Sequence, residues 1–294
     1  MIDVISILAP VLVPVFLCVA IGVAWSKLGY RYETAFISRL IFSVGTPCLA
    51  FSALTSHDLA LDDFGVMALV ALMAFTIFGL VGALLLRAMR QPVRAFLPSV
   101  MLPNVGNMGL PIALFAYGEA GLALAVVFSA SGTFAHFTVG VSLASGRFSI
   151  RTLVTSPAII AIVVAVGFIA FQVDPPVWLA NTTGLLAGMT IPIMLISLGV
   201  SLAGLEVRNL GRAFAISGVR LGLGAATGFA LAYLMDLGPM EAGIVIIQCS
   251  MPAAVLNYLM AARYNGPAED IAGVVVVSTL MMFLLLPLLL LAIL

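Results

Sequence analysis

The chain has 294 residues, of which 63% are hydrophobic and 8% charged, with a mean hydropathy of +1.26. An ordinary soluble domain is about 25% charged, so the composition excludes a soluble globular enzyme and points to an all-α polytopic membrane protein. The 12 basic and 12 acidic residues cancel, which gives no electrostatic basis for a nucleic-acid or acidic partner.

A bilayer-spanning helix needs about 20 mostly apolar residues. On that measure spans are predicted near 4–26, 34–54, 64–86, 95–117, 121–144, 157–173, 177–204, 213–235, 240–261 and 271–293, ten in all. The first starts at Ile2 with no basic leader and no small-residue cleavage site, and reads as a retained helix rather than a signal peptide. The second carries Thr46-Pro47. The fourth carries Leu102-Pro103-Asn104-Val105-Gly106-Asn107-Met108-Gly109-Leu110-Pro111, where two prolines, two glycines and two asparagines fall within nine residues. A regular helix cannot continue there, because each proline removes a hydrogen bond and crowds the preceding turn. In lipid the freed backbone groups must be satisfied by protein or by a wet cavity, which marks the break as a functional-site candidate. The fifth span holds His136, the seventh Ile191-Pro192, and the ninth Gln248-Cys249-Ser250-Met251-Pro252. Cys18, Cys48 and Cys249 have no metal-ligand spacing and read as packing residues, so no metal and no cofactor is expected.

Charge sets the orientation. Lys27, Arg31 and Arg39 flank the first loop, Arg87, Arg90 and Arg94 the third, Arg147 and Arg151 the fifth, Arg208, Arg212 and Arg220 the seventh, and Arg263 the ninth, which places all 12 basic residues on one side. The opposite loops carry Asp58, Asp62, Asp63, Glu119, Asp174, Asp236 and Glu241. The positive-inside rule then puts both termini outside the cell membrane. Arg39 and Arg220 lie one or two turns inside their helices and are expected to snorkel to the interface, leaving no Lys or Arg near the midplane.

With five spans per half, the second half enters from the other side, as an inverted repeat divided near 150/151. The proline-bearing second and seventh spans correspond, and so do the broken fourth and ninth. Matched interruptions in corresponding spans are the best sequence pointer to a transporter's binding site.

Leu102-Pro103-Asn104, Met108-Gly109-Leu110-Pro111 and Tyr117-Gly118 resemble the crossover helix of the auxin efflux carrier family, which includes plant PIN proteins and bacterial carriers and belongs with the bile acid transporters in one superfamily. Leu198-Gly199, Ile247-Gln248, Met251-Pro252-Ala253, Ala262-Arg263-Tyr264 and Ser278-Thr279-Leu280 before Pro287 carry the likeness through the second half. The short central loop is similar to that of bacterial members. The resemblance implies two inverted five-helix repeats, 1–150 and 151–294. A scaffold domain would comprise spans 1, 2, 6 and 7, and a transport domain spans 3–5 and 8–10. Spans 4 and 9 would cross at their breaks, and the transport domain would move as an elevator. A small organic anion, auxin-like or malonate-like, would be the substrate of this secondary transporter, with membrane lipid around it and a homodimer formed through the scaffold.

By the same resemblance Asn104 contacts substrate, Thr46 lines the site from the scaffold side, and Gln248 holds the crossover or a cation. An amide can donate to a carboxylate or satisfy a freed carbonyl, so Asn104 alternatively caps the second half-helix, and Thr46 alternatively bonds back to its own helix. Asn107 and Asn257 complete the substrate-binding candidates, Asn257 facing either the cavity or another helix. Pro103, Pro111, Met251 and Pro252 mark the breaks, and Gly106 and Gly109 are expected to let the crossing backbones approach. Half-helix N-termini favour anions, and with no buried cation in view they and the amides alone would serve a carboxylate. Where family members carry an acid and a lysine in span three, Phe64 to Phe75 has neither. His136 is then the buried ionisable candidate for a proton role, against a neutral packing role. Transport driven by the substrate gradient or membrane potential is the simplest coupling.

No enzyme is expected. No His-Glu-x-x-His motif occurs, and Ser129 to Gly132 with His136 lacks the first glycine of an intramembrane serine protease motif. The alternatives are a sodium-coupled carrier built like the bile acid symporters, whose usual acidic sodium ligand is absent here, and a non-transporting membrane receptor.

Overall fold

In a computed structural model the described residues are 2–56, 61–140 and 155–294. Asp58, Arg147, Arg151, the end of the fifth predicted span and the division at 150/151 lie outside them. Every regular element among the described residues is helical.

The chain opens with α1 (Ile2–Lys27), continuous through Pro10 and Pro14. Next, α2 (Thr34–Leu40), a π turn (Ile41–Gly45) and α3 (Thr46–Thr55) follow one another with helical backbone at both joints. Pro47 sits in the first turn of α3, and the turn before it widens rather than breaks, as a π-bulge does. Beyond the acidic loop come α4 (Leu61–Ala88) and α5 (Val93–Met101), then a second π turn (Val105–Gly109) leading into α6 (Leu110–Ala135). Gly118 divides α6 with φ 68° and ψ −162°, a left-handed conformation that favours glycine. This is the expected boundary between the fourth and fifth spans. A third π turn (His136–Gly140) extends α6.

The second half contains α7 (Pro157–Ala170), α8 (Val177–Gly204) and α9 (Leu210–Leu234). Asn209 caps α9 by accepting from the Arg212 N–H at 3.1 Å, a preferred N-cap chemistry. Then come α10 (Pro239–Ser250), α11 (Val255–Arg263) and α12 (Ala268–Ile293). Pro192 lies inside α8, which stays a single helix. The prolines of the second and seventh spans therefore act differently: one follows a widened turn, the other is absorbed.

Seven helices are long and apolar enough to cross a membrane among the described residues, where ten spans are expected. The remaining predicted spans fall on shorter or merged helices. α5, α10 and α11 have 9, 12 and 9 residues because they are halves of broken segments. α7 has 14 residues, and the run Val105–Gly140 registers as one helix although Gly118 divides it.

α1 packs along α8, and α3 against α7 and α8; α4 packs on α5 and α6, α6 on α10, and α9 on α10 and α12. Small residues permit the closest approaches, the usual device between membrane helices. A Cβ on Gly22 would fall 2.0 Å from the Ile196 carbonyl oxygen, and one on Gly199 2.1 Å from that of Val19, so α1 and α8 meet backbone to backbone. Gly243 of α10 makes room for the Tyr117 ring, whose hydroxyl donates to the Ile293 carbonyl at 3.0 Å. Leu80, Leu84, Leu284 and Leu288 stay exposed while Val70, Ala74 and Phe78 are buried, the pattern of a bundle whose outer face is lipid. At one end, Arg208 pairs with Glu269, and Arg212 with Asp270 at 2.7 Å, which ties the start of α9 to the start of α12.

Candidate functional site

The two breaks meet. α5 ends at Met101 and leaves helical geometry at Leu102 (φ −112°, ψ 89°); α10 ends at Ser250 and does so at Met251 (φ −59°, ψ 146°). Pro103 and Ala253 then pair as an antiparallel bridge. The Asn104 N–H donates to the Pro252 carbonyl at 2.7 Å, and the Ala254 N–H to the Leu102 carbonyl at 3.2 Å. Each break thus satisfies the backbone the other exposes, which answers the bilayer's penalty on unpaired polar groups. Prolines suit the crossing because they bring no N–H that would need a partner. Ser278 of α12 accepts from the Ala253 N–H at 3.1 Å and donates to the Val275 carbonyl at 3.2 Å, pinning the second break from outside.

Asn104 sits at this bridge, 5% exposed. Its carbonyl accepts from the Gly109 N–H at 3.1 Å, so its backbone starts the second half-helix. Its side-chain Nδ2 has no hydrogen-bond partner. Gln248, fully buried, donates from Nε2 to the Ala125 carbonyl at 3.5 Å and leaves Oε1 unpaired. A Cβ on Gly109 would lie 2.1 Å from that Oε1. Gly109 therefore makes room for a side chain, not for the crossing backbone as expected, and Gly106 has open space where its Cβ would be. Pro111, Met251 and Pro252 are buried at the breaks, and Asn107 is half-buried in the π turn after Asn104.

Asn257 faces another helix rather than the cavity. It is buried, its Nδ2 donates to the Leu102 carbonyl at 3.1 Å, and its Oδ1 lies 3.1 Å from His136 Nε2. With Oδ1 as acceptor, His136 carries its proton on Nε2. This chain links the π turn after α6 to the crossing.

Thr46 does not bond back to its helix: its Oγ1 is unpaired. By contrast Thr55, Thr76, Thr133, Thr182, Thr190 and Thr279 each donate to the carbonyl four residues earlier. Thr46 lines a cavity of about 20 Å³ with Leu49, Leu110, Ser129, Thr133 and Ile162. That is room for a water and not for an organic acid. Asn104 and Gln248 do not line it. The site candidates thus fall into two groups, Asn104, Gln248 and Asn257 around the crossing and Thr46 at the gap between α3 and α6.

Sequence reasoning misplaced one residue. Arg220 does not snorkel; it is fully buried, and its Nη1 and Nη2 donate at 2.5 Å to the carbonyls of Val100 and Cys249. A cation therefore lies beside the crossing, contrary to the expectation of none near the midplane. The available signal was its separation in sequence from Arg208 and Arg212, the arginines that hold the start of α9. Ser278 belongs to the Ser278-Thr279-Leu280 motif, and nothing local to it identifies the Ala253 N–H as its partner.

A family model described as "Membrane transport protein" matches residues 6–147 and 141–290. An uncharacterized transporter of Methanocaldococcus jannaschii is 27% identical over 190 residues, 61% of this chain and 61% of that protein. An uncharacterized transporter of Methanothermobacter thermautotrophicus is 23% identical over 287 residues, 93% and 94% of the two chains.

Proposed function

We propose a specific activity for this chain, which belongs to the membrane transport protein family that contains the auxin efflux carriers: it is a secondary transporter that carries a small organic anion by alternating access. The observation that supports this most is the Asn104 amide, buried at the crossing with Nδ2 unpaired. It stands at the start of one half-helix, and the Ala254–Val255 junction starts the other. Each such end carries roughly half a positive charge and unpaired N–H groups. Together they suit one carboxylate better than a compact dianion, which would need an accompanying cation.

In this reading the chain is two inverted five-helix repeats, 1–150 and 151–294, with ten spans and both termini outside the cell membrane. α1, α3, α7 and α8 with α2 form the scaffold, which also carries a homodimer contact. α4–α6 and α9–α12 form the transport domain, with the crossing at its centre. The packing preferences α1 on α8 and α3 on α7 support the first group, and α4 on α6 and α9 on α10 and α12 the second. Thr46 faces the transport domain across the small cavity, so sliding of α6 past α3 would bring it to the substrate. The cavity beside Thr46 holds about 20 Å³, too little for an organic acid, which supports a transport cycle in which an elevator movement opens it.

The test is flux of labelled acetate, phenylacetate, malonate and succinate into proteoliposomes of the purified protein, with and without pH and sodium gradients. At least one monocarboxylate is expected to move down its own gradient, faster than into protein-free liposomes. Absence of flux and of binding for every anion would refute the reading. A rate governed by an imposed pH or sodium gradient would replace simple facilitated transport with ion coupling.

A further inference from the structure

Arg220 lies in the middle of α9 with no exposed surface. Its guanidinium donates to the carbonyls of Val100 and Cys249, each at 2.5 Å. Each of these residues stands three positions before the proline of its break, Pro103 and Pro252. One side chain thus binds equivalent carbonyls of both first half-helices. They belong to the last turns of α5 and α10, where carbonyls lack intrahelical partners.

The seat is built for a cation. The Phe78 ring of α4 lies 4.2 Å from the guanidinium carbon, close enough for a cation–π contact. A Cβ on Gly224 would fall 2.4 Å from Nη2 and 2.2 Å from the Cys249 carbonyl oxygen, so glycine at this position opens the space. Arg208 pairs with Glu269 and Arg212 with Asp270, whereas no carboxylate among the described residues pairs with Arg220. A buried cation is costly without compensation. Here two helix C-termini, each worth roughly half a negative charge, compensate Nη1 and Nη2, while Nε has no hydrogen-bond partner.

The consequence lies on the other side of the crossing. Each break brings together a negative end, where the first half-helix stops, and a positive end, where the second begins. Left alone, the two signs largely cancel in the field felt by a ligand at the bridge. Arg220 neutralises both negative ends at once and leaves the positive ends at Asn104 and Ala254 unopposed. We propose that Arg220 is the positioning residue that makes the crossing an anion site: it touches no substrate but sets the sign of the field there. This rests on the carboxylate-carrier reading and deepens it.

The test uses full-length protein in detergent and compares binding of phenylacetate, acetate, malonate and succinate with that of the corresponding amides, by titration and by ligand-induced shift in melting temperature. The wild type is expected to bind at least one carboxylate tenfold or more tighter than its amide. Arg220→Met is expected to lose that preference, and Arg220→Lys to keep it near neutral pH. A buried lysine can give up its proton in the alkaline range where arginine cannot. The Lys variant should therefore lose carboxylate preference as pH rises while the wild type stays flat. Cys249 is the titratable side chain beside the guanidinium, so the pH series is repeated with Cys249→Ala in both backgrounds. A purely structural tie would lower melting temperature without a charge-selective, pH-dependent loss. Undiminished preference in Arg220→Met overturns the proposal. Should that variant not fold, a flat pH profile in Arg220→Lys overturns it instead. Failure of the wild type to bind any of the carboxylates overturns the carrier reading itself, a result distinct from either.

Discussion

Asn104 and Asn257 are the same residue type, both buried within the crossing, yet their amides stand in opposite conditions. Asn104 Nδ2 has no partner, whereas Asn257 binds the Leu102 carbonyl and His136. Removing an unsatisfied polar group costs little or nothing, while removing a partner leaves another group orphaned. Asn104→Ala is therefore expected to weaken the proposed carboxylate binding tenfold or more and to leave the melting temperature unchanged or raised. Asn257→Ala is expected to destabilise the protein by about 1–2 kcal/mol, because His136 loses its acceptor; the Leu102 carbonyl keeps the Ala254 N–H. Thermal unfolding and ligand titration on the two variants check both. Equal loss of stability in Asn104→Ala would assign that residue to capping instead of binding.

At the scale of elements, the same residue type again has two roles within one helix. In α8, Gly199 faces the Val19 carbonyl oxygen, which a Cβ would approach to 2.1 Å, while Gly188 has nothing within 4 Å of such a Cβ. Gly199→Ala must push α1 and α8 apart and is expected to cost about 1–3 kcal/mol. Gly188→Ala meets no obstacle and gains helix propensity worth up to about 1 kcal/mol, less where lipid and neighbours already hold the helix. Melting temperatures of the pair, one lowered and one level or raised, check that the α1–α8 contact depends on backbone proximity. The crossing follows related logic: Gly109 leaves room for the Gln248 amide and Gly224 for the Arg220 guanidinium. In each case a glycine on one helix opens a seat for a polar group from another.

For the whole molecule, the distribution of charge over the loops carries the prediction. Arg87 and Asp236 are exposed at opposite kinds of loop, one basic and one acidic. With Cys18, Cys48 and Cys249 replaced, Arg87→Cys is expected to react with a membrane-impermeant thiol reagent only from the cytoplasmic side, and Asp236→Cys only from outside. Labelling of both from one side would refute the proposed orientation and the inverted repeat with it.

The breaks at Pro103–Pro111 and at Pro252 were legible in the sequence because proline acts locally: it removes a donor and crowds one turn whatever the rest of the chain does. The membrane class was legible because burial in lipid demands apolar side chains over the full length of a helix. The boundary at Gly118 was legible as the gap between the predicted spans 95–117 and 121–144, where glycine admits a left-handed backbone. Tertiary structure decided what periodicity cannot. Helices apolar on every face give no sign of which face meets which neighbour. The pairing of Pro103 with Ala253, the bond from Asn257 to Leu102, and the seat of Arg220 between Val100 and Cys249 all join residues far apart in sequence. Arg220 was read as snorkelling because solvent at the helix end is the default destination of a guanidinium. Two helix ends and an aromatic face, brought together only by the fold, supply a buried alternative.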